Sequence, residues 1–330
     1  MKPFKHQVIN VLAVAALVVG IGTSAAQAQD YPNQPVRIVV PSSPGGGLDL
    51  LARALGVKLT DKWGQQIIVE NQSGAGGTIG TAAVAQAAPD GYTLLFVTTG
   101  FVTNPTLMSS LSYDPLNDFT PITVAGYAPL VLVANPSAPF NDVESFVNHA
   151  RENPEEVFYG SAGIGSGGHL SMELLQQIVD IKLSHIPYQG AGALLTGTLT
   201  GEVPVQFGGV PSVKQYVDEG TLVPIAINSR HRSAQLPDVP TFEESGYSEF
   251  VVDAWFGVFG PAGLAPEVTQ EIYDTLNEII SDPASREQIQ ALGFEVDSSL
   301  MTPDVFSELV RNDLELWRDT IARAGIEGVQ

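Results

Sequence analysis

The stretch Val36-Arg37-Ile38-Val39-Val40, Pro41-Ser42-Ser43-Pro44-Gly45-Gly46-Gly47, Leu48-Asp49-Leu50-Leu51-Ala52 sets the pattern for the whole chain. Its first five residues are mostly β-branched and apolar, which reads as a buried strand. The prolines, serines and glycines over 41–47 read as a turn-rich loop. Leu48, Leu51, Leu55, Leu59 and Trp63 then fall on one stripe of a helix. Strand, glycine-rich loop and amphipathic helix in this order make one unit of an α/β fold.

The unit recurs outward from there. Ile67-Ile68-Val69 is a strand that runs into the loop 71–77 and a helix through Ile79, Ala82 and Ala83. Residues 92–97 form a strand ending in Thr98-Thr99-Gly100, and 113–121 is a turn-rich connection. Leu130 opens a second series. Asn141 is placed to cap a helix with Val143, Phe146, Val147 and Ala150 on its inner face. Strands at 157–159, 183–188, 203–207 and 222–228 follow, the first leading through 160–168 into a helix with Leu170, Leu174, Leu175 and Ile178. Residues 251–259 read as a strand returning to the first series. Two long helices finish the chain, the second started by Thr302-Pro303, a cap and a first-turn proline. Such alternation predicts parallel sheets covered on both faces. Two series with a return predict two lobes. Domain 1 is 29–127 plus 252–330, domain 2 is 128–251, and a cleft lies between them where the strands' carboxyl ends gather their glycines.

The first residues predict export. Lys2, Lys5 and His6 precede an apolar run over 8–22, and Ala26-Gln27-Ala28 follows, the order of a cleavable signal peptide over 1–28. The run is short for a membrane span. There is no cysteine, hence no disulfide, thiolate metal site, thiol nucleophile or lipid-anchored cysteine. The expected location is the periplasm, free of an anchor. The chain has 36 acidic and 15 basic residues; removal of Lys2 and Lys5 leaves 36 against 13, a formal −23. That field repels nucleic acid and anionic lipid. Any bound anion must be held by local donors against it.

The loops can supply those donors. A glycine-rich loop entering a helix exposes main-chain N–H groups with no partner inside the helix, and the helix dipole adds positive potential there. Three or four such bonds to a charged group, less the cost of association, reach about −8 kcal/mol, near micromolar affinity. Asp49 sits in a first helical turn, where it can bond loop amides. Its replacement by alanine is expected to weaken binding with little loss of fold. His169 follows the donor-rich loop 161–168 and reads as loop-pinning before catalytic. Tyr188, Phe207 and Trp255 are candidate pocket walls, though each taken singly reads as core before pocket. Gly163-Ile164-Gly165-Ser166-Gly167-Gly168 matches the dinucleotide spacing, but Ile186-Pro187-Tyr188-Gln189-Gly190 lacks the acid such a site requires. No phosphate-loop motif, G-x-S-x-G elbow or H-E-x-x-H pair occurs.

An ordered set of short motifs resembles the substrate-binding receptors of tripartite tricarboxylate transporters, the TctC or Bug family. It runs through Pro35 to Pro41 with Pro44-Gly45-Gly46 and Asp49, Val69-Glu70-Asn71 with Gly74 to Gly80, and Ala88-Pro89-Asp90-Gly91-Tyr92. It continues with Tyr113-Asp114-Pro115, His169-Leu170, Pro187-Tyr188, Leu236-Pro237-Asp238-Val239-Pro240-Thr241 and Gly260-Pro261-Ala262-Gly263. The resemblance implies a Venus-flytrap fold of the type II periplasmic-binding-protein kind, with parallel or mixed sheets flanked by helices and a hinge of crossing segments. It implies a carboxylate ligand (a di- or tricarboxylate or an aromatic carboxylate), a two-subunit membrane permease as partner, and no cofactor, metal or catalysis. A monomer is expected. The candidate ligand-binding set is Ser42, Ser43, Gly45, Gly46, Gly47, Asp49, Gly77, Thr98, Thr99, Ser161, Ala162, Gly163, Gly165, Ser166, His169, Tyr188, Gly208 and Gly209. Pro41-Ser42-Ser43 departs from the aromatic residue many members carry, and Phe207-Gly208-Gly209 from their frequent Phe-Asp. The missing acid points to a ligand without an ammonium group. A sensor subunit for a membrane kinase and an exported hydrolase are the alternative readings.

Overall fold

The computed structural model describes residues 31–252, 254–297 and 300–326. The expected signal peptide lies outside them. The opening stretch forms β1 (Val36–Val40) and α1 (Gly47–Trp63), and the next unit forms β2 (Ile67–Asn71), a short 3-10 turn (Ala75–Gly77) and α2 (Thr78–Ala85). Then come β3 (Thr93–Thr98), α3 (Gly100–Leu107) and β4 (Phe119–Tyr127). The second series is β5 (Leu130–Ala134), α4 (Val143–Glu152), β6 (Phe158–Ser161), α5 (Gly167–Val179), β7 (Ser184–Pro187), α6 (Ala191–Thr200), β8 (Val205–Gly209), α7 (Val210–Asp218) and β9 (Val223–Ile227). The chain ends with β10 (Trp255–Pro261), α8 (Pro266–Ser281), α9 (Pro283–Ala291) and α10 (Pro303–Ala324).

The strands form two five-stranded sheets, ordered β2-β1-β3-β10-β4 and β7-β6-β8-β5-β9. This is a two-lobe α/β fold, and both sheets are mixed rather than wholly parallel. β1 runs parallel to β2 and β3, and β6 parallel to β7 and β8. β10 is antiparallel to β3 and β4, and β5 to β8 and β9. The reversed strands are the two that follow a crossing between sheets. A strand that enters at the edge where its neighbours end has to run against them. The crossing segments are bonded to each other: Leu130 N–H donates to Asn228 Oδ1 (2.8 Å), Val252 N–H to Asn228 O (2.7 Å) and Ala128 N–H to Ala254 O (2.8 Å). Asn228 is fully buried there.

Apolar layers cover both sheet faces. Leu48, Leu51, Leu55 and Leu59 of α1 pack with Ile272, Leu276 and Ile280 of α8 on one face of the first sheet. Phe306, Val310, Trp317 and Ile321 of α10 join the layer on its other face, which continues into the second lobe. α10 packs against both α3 and α5, and Gln177 Nε2 donates to Thr320 O (3.0 Å). Trp255 belongs to this core, fully buried with its indole N–H donating to Asp313 (2.7 Å).

Several expectations are corrected. The last three residues of the turn-rich stretch, 119–121, already belong to β4 and pair with β10. Pro121 is tolerated because β4 is an edge strand with a register irregularity beside it. The cap of α4 is Asp142, not Asn141; its side chain accepts from Ser145 N–H (2.7 Å) while Ser145 reaches back in a capping box. α9 adds a third helix to the C-terminal region, begun by Asp282 and Pro283. α3, α6 and α7 are helices that the apolar periodicity does not announce. The cap of α10 is as read: Thr302 accepts from Val305 N–H, with Pro303 in the first turn.

Candidate functional site

The glycine-rich loops end at the carboxyl edges of both sheets and enclose two hollows. The first, about 360 Å³, is lined in part by Pro41, Ser42 and Ser43 after β1, Gly74, Gly76 and Gly77 after β2, and Thr98, Gly100, Phe101 and Asn104 after β3. The second, about 200 Å³, is lined in part by Ala162, Ser166 and Gly167 after β6, Ala191 at the start of α6, and Gly208, Gly209 and Ser212 around β8 and α7. Leu130, Leu194, Leu195, Phe207 and Val213 give it an apolar wall. Among the described residues, none lining either hollow is charged. The loop 163–165 comes against the first lobe: a Cβ built on Gly165 would lie 3.1 Å from Leu107 of α3.

Of the helices that start here, α5 is capped by Ser166, which accepts from His169 N–H (3.4 Å), and the other five lack side-chain caps. None is present at Gly46 before α1, Gly77 before α2, Thr99 before α3, Gly190 before α6 or Gly209 before α7. By contrast α4, α9 and α10 are capped by Asp142, Asp282 and Thr302. Proline-started α8 has no side-chain cap either. Uncapped first-turn amides carry the helix's positive end and seek an acceptor. Glycine at these positions keeps side chains out of the way, and Gly77, with φ 92° and its Cβ position 3.0 Å from Pro41 O, tolerates no other residue without strain.

Each loop is held from behind by a buried polar group. In the first lobe this is Asp49, 3% exposed. Its Oδ2 accepts from Gly45 N–H (2.9 Å), and Arg53 Nη2 lies 2.9 Å from Oδ1 while also donating to Asn71 Oδ1 (2.8 Å). Burial pushes the Asp49 carboxyl up, but hydrogen bonds from Arg53, Gly45 and Asn71 outweigh it and hold the group below the usual aspartate range. Asn71 in turn donates to Ser42 O (3.2 Å). Asp49 therefore shapes the loop 42–47 and does not line the hollow.

In the second lobe the support is a stack of rings. His169 and His185 lie with centroids 4.0 Å apart and planes 15° apart, and Tyr159 stacks on the outer side of His185 at 4.8 Å. His169 Nδ1 accepts from Gly165 N–H (3.0 Å), and His185 Nε2 is 2.6 Å from Ser161 Oγ. Burial, then the neighbouring His185, lowers the pKa of His169 to about 4, and burial lowers that of His185. The Tyr159 hydroxyl donates to Glu173 and is pushed up by burial and that carboxylate. Sequence reasoning misses the Ser161–His185 contact, because the two residues meet only across the parallel strands β6 and β7. It is not a nucleophile–base pair in working order. Ser161 is fully buried, and its hydroxyl is also engaged with Gly163 O (3.0 Å) and Gly163 N–H (3.2 Å).

Of the candidate residues, Ser42, Ser43, Gly77 and Thr98 line the first hollow, and Ala162, Ser166, Gly208 and Gly209 the second. Gly45, Gly46 and Gly47 are exposed beside Ser43, and Thr99 lies between two residues lining the first hollow. The Gly163, Gly165 and Ser166 amides are spent within their own loop, on Ser161 Oγ, His169 Nδ1 and Gly163 O. Those of Ala162, Ile164, Gly167 and Gly168 have no hydrogen-bond partner among the described residues. The Tyr188 ring packs on Gly160 and Gly197, with its hydroxyl at Gly197 on the far part of α6, so only its backbone adjoins the loop. Asn104, which donates to Gly76 O (3.0 Å), lines the first hollow without having been singled out, because α3 itself was not expected.

Comparison with known proteins matches this architecture. BugT of Bordetella pertussis is 34% identical over 320 residues, 96% of this chain and 98% of its own. A Rhodopseudomonas palustris protein solved with adipate superposes with a TM-score of 0.74 at 29% identity, covering 91% of this chain and 100% of that one. A TctC solute-binding protein from Polaromonas, solved without ligand, gives 0.78 at 26% identity over 89% and 99%. MatC from R. palustris, solved with malate, gives 0.69 at 29% over 88% and 100%. The profile described as "Tripartite tricarboxylate transporter family receptor" matches residues 51–326, and the chain belongs to that family of periplasmic solute-binding receptors.

Proposed function

We propose that this receptor binds a small carboxylate without an ammonium group between its lobes and delivers it to a two-subunit membrane permease. The observation that carries the reading is the set of five uncapped helix starts, from both lobes, around hollows whose described lining residues are all uncharged. Fixed main-chain dipoles supply the positive potential that a carboxylate needs without lysine or arginine. The relatives solved with adipate and malate support that ligand class. The absence of acids among the described lining residues supports the exclusion of amines, since Asp49 is occupied by Gly45 and Arg53. In this reading the protein works as a monomer in the periplasm after removal of residues 1–28, and its lobes are 29–127 with 252–330, and 128–251.

A thermal-shift screen with mono-, di- and tricarboxylates, benzoate, and the matching amides tests it. A ligand that prefers the folded state raises the melting temperature by mass action. At least one acid is expected to raise it where its amide does not. A response to aspartate or glutamate alone would sink the ammonium-free reading, and silence from every acid would sink the carboxylate reading.

A further inference from the structure

We infer that the stacked pair His169–His185 is a positioning device for the second lobe's ligand loop, an inference that rests on the functional reading above. Each imidazole holds one end of the loop through a single directed bond. His169 Nδ1 takes the Gly165 N–H at 3.0 Å, and His185 Nε2 meets Ser161 Oγ at 2.6 Å. The bonds divide the loop's amides. Those of Gly163, Gly165 and Ser166 are consumed, and those of Ala162, Ile164, Gly167 and Gly168 remain for a ligand. A flexible loop would lose that division, since Gly163 and Gly165 sit at φ 136° and 77° and have no side chain to hold them.

The assignment fixes the protonation of both rings. An Nδ1 that accepts from a main-chain amide leaves the His169 proton on Nε2, where Glu173 Oε1 lies 3.9 Å away. Giving the one Ser161 proton to Gly163 O (3.0 Å) makes His185 the donor, from its own Nε2, across the 2.6 Å contact. Tyr159 from β6 and Glu173 from α5 are the other ionisable groups around the pair, and they are bonded to each other. Two imidazoles 4.0 Å apart with 4% of His169 exposed stay neutral at pH 7, consistent with the lowered pKa values. Neutrality matters because a proton on Nδ1 would remove the acceptor that Gly165 needs.

The test uses the whole protein with succinate, adipate, malate and benzoate as probes. Long-range nitrogen–proton NMR should show both rings as the Nε2–H form from pH 8 to 6, and the Gly165 amide should be protected from exchange. His169→Asn keeps an acceptor near the Nδ1 position and His185→Gln a donor near Nε2, so both should bind the best probe within about threefold of wild type. His169→Leu and His185→Leu should bind it about tenfold or more weakly, and His169→Leu should lose the Gly165 protection. An Nδ1–H or charged ring at pH 7 overturns the inference, as does equal loss in the amide and leucine variants. If the leucine variants do not fold, the ring protonation and the amide variants still decide. If no probe binds the wild type, the functional reading fails, while ring form and exchange still judge the loop device.

Discussion

Asp49 shows how burial changes a residue's meaning. From sequence it is a first-turn acid near a ligand loop, with a fold that should tolerate its loss. Its side chain is buried and bonded to Gly45 and paired with Arg53, so Asp49→Ala should lower stability by about 1–3 kcal/mol as well as weaken binding. Chemical denaturation alongside calorimetry checks this; unchanged stability would return Asp49 to a purely ligand-facing role. His169 gives the protein an acid-sensitive window. Its folded pKa is about 4 against the ordinary 6.5, so between these values the unfolded chain holds more protons. Stability is complete above pH 6.5 and is lost as pH falls toward 4, on the order of 2 kcal/mol after allowance for screening. The Asp49 contribution, from a lowered carboxyl, is lost only at more acid pH. Melting temperatures from pH 7.5 to 4.5 should fall less in His169→Asn than in wild type, and parallel curves would refute the assignment. The loop glycines of the site were legible because their function is local in sequence. The histidine stack was not, because Tyr159 and His185 become neighbours only through the β6–β7 register.

At the level of elements, β1, α1, β2, β5 and α10 were readable because β-branched runs, leucine spacing and a Thr-Pro start are strong local signals. β4 and α3 were hidden by Pro121 and Pro105, each at odds with the element that contains it. α6 was hidden by Gly192 and Gly197 and by the β-branched Thr196, Thr198 and Thr200. The reversal of β5 and β10 depends on which lobe a strand arrives from, which no local pattern records. The uncapped helix starts yield a test of their own. Gly209 has φ −62° and ψ 132°, open to any residue, and a Cβ there meets only Ser212 Oγ at 3.7 Å. Gly209→Asp should cap α7 and hold or slightly raise the melting temperature, while cutting carboxylate affinity at least about tenfold by occupying the Ser212 amide and adding a negative charge there, since Val210 N–H already donates to Pro129 O (3.4 Å) and Pro211 has no N–H. Gly209→Ala is the control and should bind nearly as wild type. Equal binding in both variants would show that α7 takes no part in holding the anion.

For the whole molecule, the formal charge of −21 opposes the approach of any anion, whereas the proposed binding in the hollows would attract it. Association with a dianion should therefore speed up as salt rises from about 10 mM to 300 mM, because screening removes the long-range repulsion and leaves short-range amide bonds nearly intact. Stopped-flow or surface-based kinetics would read this, and a rate that falls with salt would mean that a local positive region steers the ligand. The place of β10 has a different consequence. It lies between β3 and β4, so the first sheet has a gap until residue 261 has been synthesised, whereas the second sheet is built entirely from residues 130 to 227. During synthesis the second lobe, from the middle of the chain, can assemble while the first lobe, built from both ends, waits for its last strand.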